Sequence, residues 1–230
     1  NHSFDLLSCF PASAEPGKAF TSVTYSNLYF REPESRADQT RMMSIVTTGA
    51  ETGYYVDVFR SRKEKGGDKM HDYFYHNLGQ TLTLTAADGS DLNLQPTEEL
   101  AFAGAHLYAY SYLYDKKVAA TNKDVKATFT IDMKDKDGDD IYMNLWMKGE
   151  PDREIFTALA PMTEGLSRTP NMPYNIKEQP TLTFVARQHG EAWNRPFVSI
   201  YEPSTKKEPS AIQSVSYFDA EGAGLEDFAG

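Results

Sequence analysis

Apolar and polar residues alternate with a period of two through most of this 230-residue chain, and a sustained apolar stripe of period 3.6 is almost absent. Such a pattern builds strands with one buried and one solvated face, so the chain is expected to be all-β. The alternating segments are Ser22–Tyr29, Arg41–Thr48, Tyr54–Arg60, His71–Asn77, Thr81–Thr85, Leu107–Asp115, Lys126–Met133, Asp140–Met147, Glu154–Leu159, Thr181–Gln188, Phe197–Glu202 and Ala211–Phe218. About a dozen strands exceed what one open sheet holds comfortably, so the expectation is an antiparallel two-sheet β-sandwich in a single domain over residues 1–230.

The connections agree with antiparallel neighbours. Thr48–Gly53, Ala87-Asp-Gly-Ser90, Lys136-Asp-Gly-Asp139 and Lys148-Gly-Glu-Pro151 each put glycine where a tight turn uses positive φ. Two connections read as long and irregular, Arg31–Gln39 and Pro161–Pro180, the latter with Pro161, Pro170, Pro173 and Pro180.

Composition bounds the partners. A formal charge of −10 opposes nucleic acid, whose phosphates need a net positive face. No run of roughly 18 apolar residues is present to span a membrane. The chain opens on Asn1 rather than methionine, and is expected to be an excised piece of something longer. Its single cysteine, Cys9, flanked by Leu6, Leu7, Ser8 and Phe10, reads as a buried small hydrophobe. Positive charge is nevertheless concentrated in one short loop with Arg60, Arg62, Lys63, Lys65 and Lys69, either a solvated hairpin tip or a local attractor for polyanionic sugar.

Histidine and tyrosine crowd His71-Asp-Tyr-Phe-Tyr-His76. In a regular strand His71, Tyr73 and Tyr75 share one face and Asp72, Phe74 and His76 the other, so the two histidines point apart. Asp72 and His76 stand roughly 13 Å apart along the strand, too far for one ion with bonds of about 2 Å. No metal or other cofactor is therefore expected from this segment. The face of His71, Tyr73 and Tyr75 suits either a sugar surface or plain core, and the same choice holds for Leu107-Tyr-Ala-Tyr-Ser-Tyr-Leu-Tyr114. Gly190–Pro196, carrying Trp193, Asn194 and Arg195, reads as a recognition loop or an edge cap. His106 and His189 have no partner nearby in sequence and default to structural or surface roles. Asp132–Asp140 fails as an EF-hand, because Met133 and Asn144 fall where Asp and a bidentate Glu belong; a hairpin turn is expected instead.

Tyr54-Tyr-Val-Asp-Val-Phe-Arg60, Gly66-Gly67 and the His71–His76 strand, followed by Leu145-Trp-Met147, Arg153-Glu-Ile-Phe-Thr157 and Arg187–Pro203, resemble the C-terminal β-sandwich of heparinase II/III-like polysaccharide lyases, in order and spacing, over roughly residues 40–218. The resemblance implies part of a bacterial periplasmic or secreted enzyme that cleaves uronate-containing polysaccharide by β-elimination. Carboxylate neutralisation, a base and an acid are then needed. The family's N-terminal helical toroid and its glycine-histidine-x-histidine-x-aspartate stretch, which carries catalytic or metal-binding residues, are not in this sequence, so the chain is expected to be catalytically incomplete alone and to partner a helical domain of the same parent. On this reading Arg60, Arg62, Lys63, Tyr73 and Trp193 bind an anionic or neutral polysaccharide, and His71, His76 and Tyr75 are the candidate catalytic contacts. The alternative is a non-catalytic carbohydrate-binding or structural sandwich.

Overall fold

The computed structural model describes residues 3–11, 22–102, 104–133, 139–163 and 178–217, the side chains of Ala105 and His106 excepted. Thirteen strands follow one another: β1 Asp5–Phe10, β2 Val23–Arg31, β3 Ala37–Thr47, β4 Gly53–Lys63, β5 Met70–Asn77, β6 Thr81–Ala86, β7 Gln95–Pro96, β8 Tyr114–Ala120, β9 Val125–Ile131, β10 Ile141–Met147, β11 Arg153–Ala160, β12 Thr181–His189 and β13 Ala192–Thr205. They form two antiparallel sheets, as alternation demands: eight strands in the order β1-β2-β3-β4-β13-β10-β9-β6, and five in the order β5-β12-β11-β8-β7. No described helix is long and apolar enough to cross a membrane.

The inward faces meet in a core of Leu84, Val125, Phe129, Leu145, Met147, Ile155, Leu182, Phe184 and Phe197, with Tyr73 and Tyr201 closing one side. No residue of β1, β2 or β3 belongs to that cluster. The eight-stranded sheet extends past its partner there, leaving Met43 48% and Ile45 49% exposed.

Several expectations are corrected. Leu107–Asp115 is not a strand: Ala105–Tyr112 is a 3-10 helix and β8 begins only at Tyr114. Leu107, Tyr110 and Leu113 recur every third residue and turn toward the five-stranded sheet, which is 3-10 periodicity overriding the apparent alternation. Residues 209–217 carry no regular structure, so the expected strand Ala211–Phe218 does not form over its described residues; Glu202 Oε1 instead accepts the Ala211 amide at 2.7 Å. Arg31–Gln39 is a compact hairpin, closed by the Glu32 amide on the Ala37 carbonyl at 2.9 Å. β1 lacks alternation and lies at a sheet edge, where Cys9 is half-buried rather than core. β9 and β10 pair in register Ile131↔Ile141, as the hairpin reading requires, although residues 134–138 lie outside the described residues, as do 164–177 of the Pro161–Pro180 connection. Gly89 takes φ 84, as a turn glycine should, whereas Gly149 meets a different demand: a Cβ there would stand 2.2 Å from the Asn122 carbonyl oxygen.

Candidate functional site

Strand β5 is regular, so its side chains divide as alternation requires, but the face carrying Tyr73 and Tyr75 points into the sandwich. Tyr73 is 3% exposed; its hydroxyl donates to Asp57 Oδ2 at 2.6 Å and bonds the Tyr201 hydroxyl. Asp57, itself 1% exposed, also accepts from Arg41 Nε at 3.0 Å. A ring so enclosed offers nothing for a sugar to stack on, which corrects the expectation for Tyr73. Tyr75 packs edge-on against Phe129, and burial pushes its hydroxyl up to about 12; Tyr73 is raised too, by burial first and then by the negative Asp57. Both stay protonated at neutral pH, so neither is a ready base.

The basic cluster is also divided. Strand β4 runs on to Lys63, so Arg60–Lys63 alternate between faces rather than sharing one loop. Arg60 is buried and donates to the Trp193 carbonyl, and burial lowers its affinity for the proton. Arg62 stacks on the Trp193 ring at 4.1 Å. Lys63 turns to the other side. The 190–196 segment is mostly the start of β13, held by Glu191, whose carboxylate accepts the Trp193 and Asn194 amides, and by Arg195 on the His189 carbonyl at 3.1 Å.

One hollow of about 450 Å³ gathers what remains, at the open edge of β5. Lys63, Lys69, His71, Ser61, Gln39 and Arg187 are among its walls. The Asp68 carboxylate accepts the Lys63 amide at 2.7 Å and faces His71 Nε2 at 2.7 Å. A carboxylate cannot donate, so Nε2 carries the proton and Nδ1 is the acceptor of the neutral ring. Ser61 Oγ is buried and has no hydrogen-bond partner among the described residues. An oriented imidazole, two cations and an unsatisfied hydroxyl suit a polyhydroxylated anion.

Behind this hollow stands an ionic knot that sequence reasoning missed. Arg187 binds Asp72 through Nε at 2.7 Å and Nη2 at 2.8 Å, and reaches Glu99 at 3.2 Å. The Tyr110 hydroxyl donates to Asp72 Oδ2 at 2.7 Å, which fastens the 3-10 helix to β5 and β12. A signal for it existed, since Arg187 is a charge inside the wholly buried run Leu182–Gln188 and needed a partner.

His76 lies on the outer face, exposed, with Nδ1 on Thr183 Oγ1 at 2.9 Å. Partial burial lowers its proton affinity from the ordinary histidine value. The unfolded chain therefore holds more protons as pH drops through about 6.5, so stability falls on acidification and is regained above that value. Replacing His76 with glutamine is expected to flatten the decline in melting temperature between about pH 8 and pH 5; a change in slope of the opposite sign contradicts this assignment. His189 pairs with Glu154 at 2.7 Å on the surface. Among the described residues no three or more His, Cys, Asp or Glu come together to hold a metal ion.

Fold and site together define an all-β sandwich with a charged, histidine-bearing hollow at one sheet edge, lined by Lys63, Lys69 and Arg187 and by Asp68 and Asp72. No family model matches the chain. Its sequence is similar to that of an endo-acting ulvan lyase from Formosa agariphila, 33% identical over 196 residues, which is 84% of this chain and 22% of that protein. The chain thus spans about a fifth of the length of the curated relative it matches. The heparinase II/III-like resemblance rests on the motifs alone.

Proposed function

We propose that this chain is the β-sandwich part of a polysaccharide lyase that acts on uronate-containing polysaccharide by β-elimination, and that the hollow beside His71 contacts the substrate. The similarity to the ulvan lyase carries this reading. β-Elimination needs neutralisation of the uronate carboxylate, a base for the C5 proton and an acid for the leaving oxygen. Lys63 and Lys69 supply positive charge at the hollow. His71, oriented by Asp68, has the arrangement of a general base or a hydroxyl-binding group. The remaining groups belong to other parts of the parent protein, for which a heparinase II/III-like helical domain and a bacterial periplasmic or secreted setting are the corresponding proposals.

The test is turnover of ulvan and other uronate polysaccharides by the full-length protein, followed by the absorbance of the unsaturated product. His71→Ala is expected to lower turnover by about 10²–10⁴-fold. The double substitution Lys63→Ala, Lys69→Ala is expected to raise KM, most strongly at low ionic strength. If His71→Ala keeps full turnover but loses polysaccharide affinity, the domain is a binding module and not a catalytic wall. Unchanged turnover and affinity in both His71→Ala and His76→Ala remove the contact role altogether.

A further inference from the structure

The outer face of the five-stranded sheet carries a second concavity. The 3-10 helix lies across β5 and encloses a pocket of about 420 Å³ between Phe74, His76, Tyr110, Tyr112, Leu113 and Pro161. Among the described residues no lysine, arginine, aspartate or glutamate lines it. Phe74 is its floor, stacked with the His76 ring at 5.8 Å and met edge-on by Tyr110 at 5.2 Å and 90°. Tyr112, which lines the pocket, is 58% exposed, and its ring meets that of Tyr108, 61% exposed, at 6.5 Å and nearly perpendicular. Exposed aromatic surface beside a concavity is the kind of surface that binding sites present.

We infer that this pocket holds one uncharged sugar ring, as a subsite next to the charged hollow. Three observations select that occupant. The lining is aromatic on its broad faces, which match the apolar C–H face of a pyranose, and it presents no charge to complement a uronate. His76 supplies one directional polar group: Nδ1 is engaged by the Thr183 hydroxyl, which leaves Nε2 to bond a sugar hydroxyl, and the ring's lowered proton affinity keeps it neutral near pH 7. Phe74 and Tyr110 are walls of both concavities, so the pocket and the hollow stand back to back. A glycan passing over this shared wall places a charged ring beside Lys63, Lys69 and His71 and an uncharged one against Tyr112. The inference rests on the proposed polysaccharide substrate only for the identity of the longer chain.

Saturation-transfer NMR on the full-length protein, with methyl glycosides of neutral hexoses and 6-deoxyhexoses as probes, tests it. Transfer to the ring C–H protons is expected, weakened about 2- to 10-fold in Tyr112→Ala, which is the size of one aromatic contact, and kept in Tyr112→Phe. Tyr25→Ala, on β2 of the other sheet, is the control and leaves the signal unchanged. No transfer to neutral glycosides, transfer only to methyl uronates, or equal transfer in Tyr112→Ala overturns the inference. Binding of neutral glycosides by a protein that cleaves no uronate polysaccharide upholds the subsite and removes the lyase reading; cleavage without neutral-sugar binding does the reverse.

Discussion

Replacing Arg153 with alanine is expected to destabilise the sandwich by about 3–5 kcal/mol, read as a shift in the midpoint of denaturant unfolding. Arg153 is 1% exposed and has no carboxylate within salt-bridge distance among the described residues. Its guanidinium is solvated by protein instead: the Lys148 carbonyl at 2.8 Å, those of Arg195 and Pro196 at 3.3 Å, and Gln188 Oε1 at 3.0 and 3.2 Å. It also lies over the Phe197 ring at 4.7 Å. Burial lowers its proton affinity to about 10, so it stays charged at neutral pH and the surrounding oxygens offset its desolvation. Alanine leaves a cavity and four acceptors without a donor at the crossing from β10 to β11. Methionine is expected to cost less, because its side chain fills much of the cavity while the same acceptors lose their donors. A loss below about 1 kcal/mol in the alanine variant means that water replaces the guanidinium freely.

Asp72→Ala is the second large effect, again about 3–5 kcal/mol, because it strands Arg187, whose side chain is only 9% exposed, as a buried cation over Phe156 at 5.3 Å. Glu99 remains at 3.2 Å as a partial partner, which places the expectation toward the lower end. The consequence reaches the binding surface. Tyr110 loses its carboxylate, and with it the tie that holds the 3-10 helix over Phe74, so neutral-sugar affinity falls along with stability. In the double variant Asp72→Leu, Arg187→Met the stability loss is expected to be smaller than in either single variant, since no unpaired charge remains. Additive losses in that cycle rule out the coupling.

Alternation made the two-sheet architecture legible, because period two is a backbone property that every half-buried strand must show. It failed in both directions where burial was weak. β1 was invisible, for Asp5-Leu-Leu-Ser-Cys-Phe10 has little inside face to mark. The tyrosines at 108, 110, 112 and 114 alternate perfectly, yet the first three lie in the 3-10 helix and only Tyr114 enters a strand, as the first residue of β8; the period-three set Leu107, Tyr110 and Leu113 was the informative one. At the site, the same rule that separated His71 from His76 also separates Arg62 from Lys63, once β4 is seen to continue through them. Which side of β5 faced the core could not be read locally. That depended on Asp57 and Tyr201, the latter 128 positions from Tyr73, and burying two tyrosines there left the outer face for Phe74 and His76.

The order of strands has a kinetic meaning. β13 lies between β4 and β10 and alone joins the β1–β4 meander to β10, β9 and β6, while β12 likewise joins β5 to β11. Both connecting strands come after all the other described strands. The meander can zip up from local contacts, but neither sheet is continuous until residues 181–205 insert, across separations such as the 133 positions between Arg60 and Trp193. Folding is therefore expected to wait on the non-local insertion of these two strands, one into each sheet, and until they insert β4 and β10 both present open edges at which a partly folded chain can misassemble.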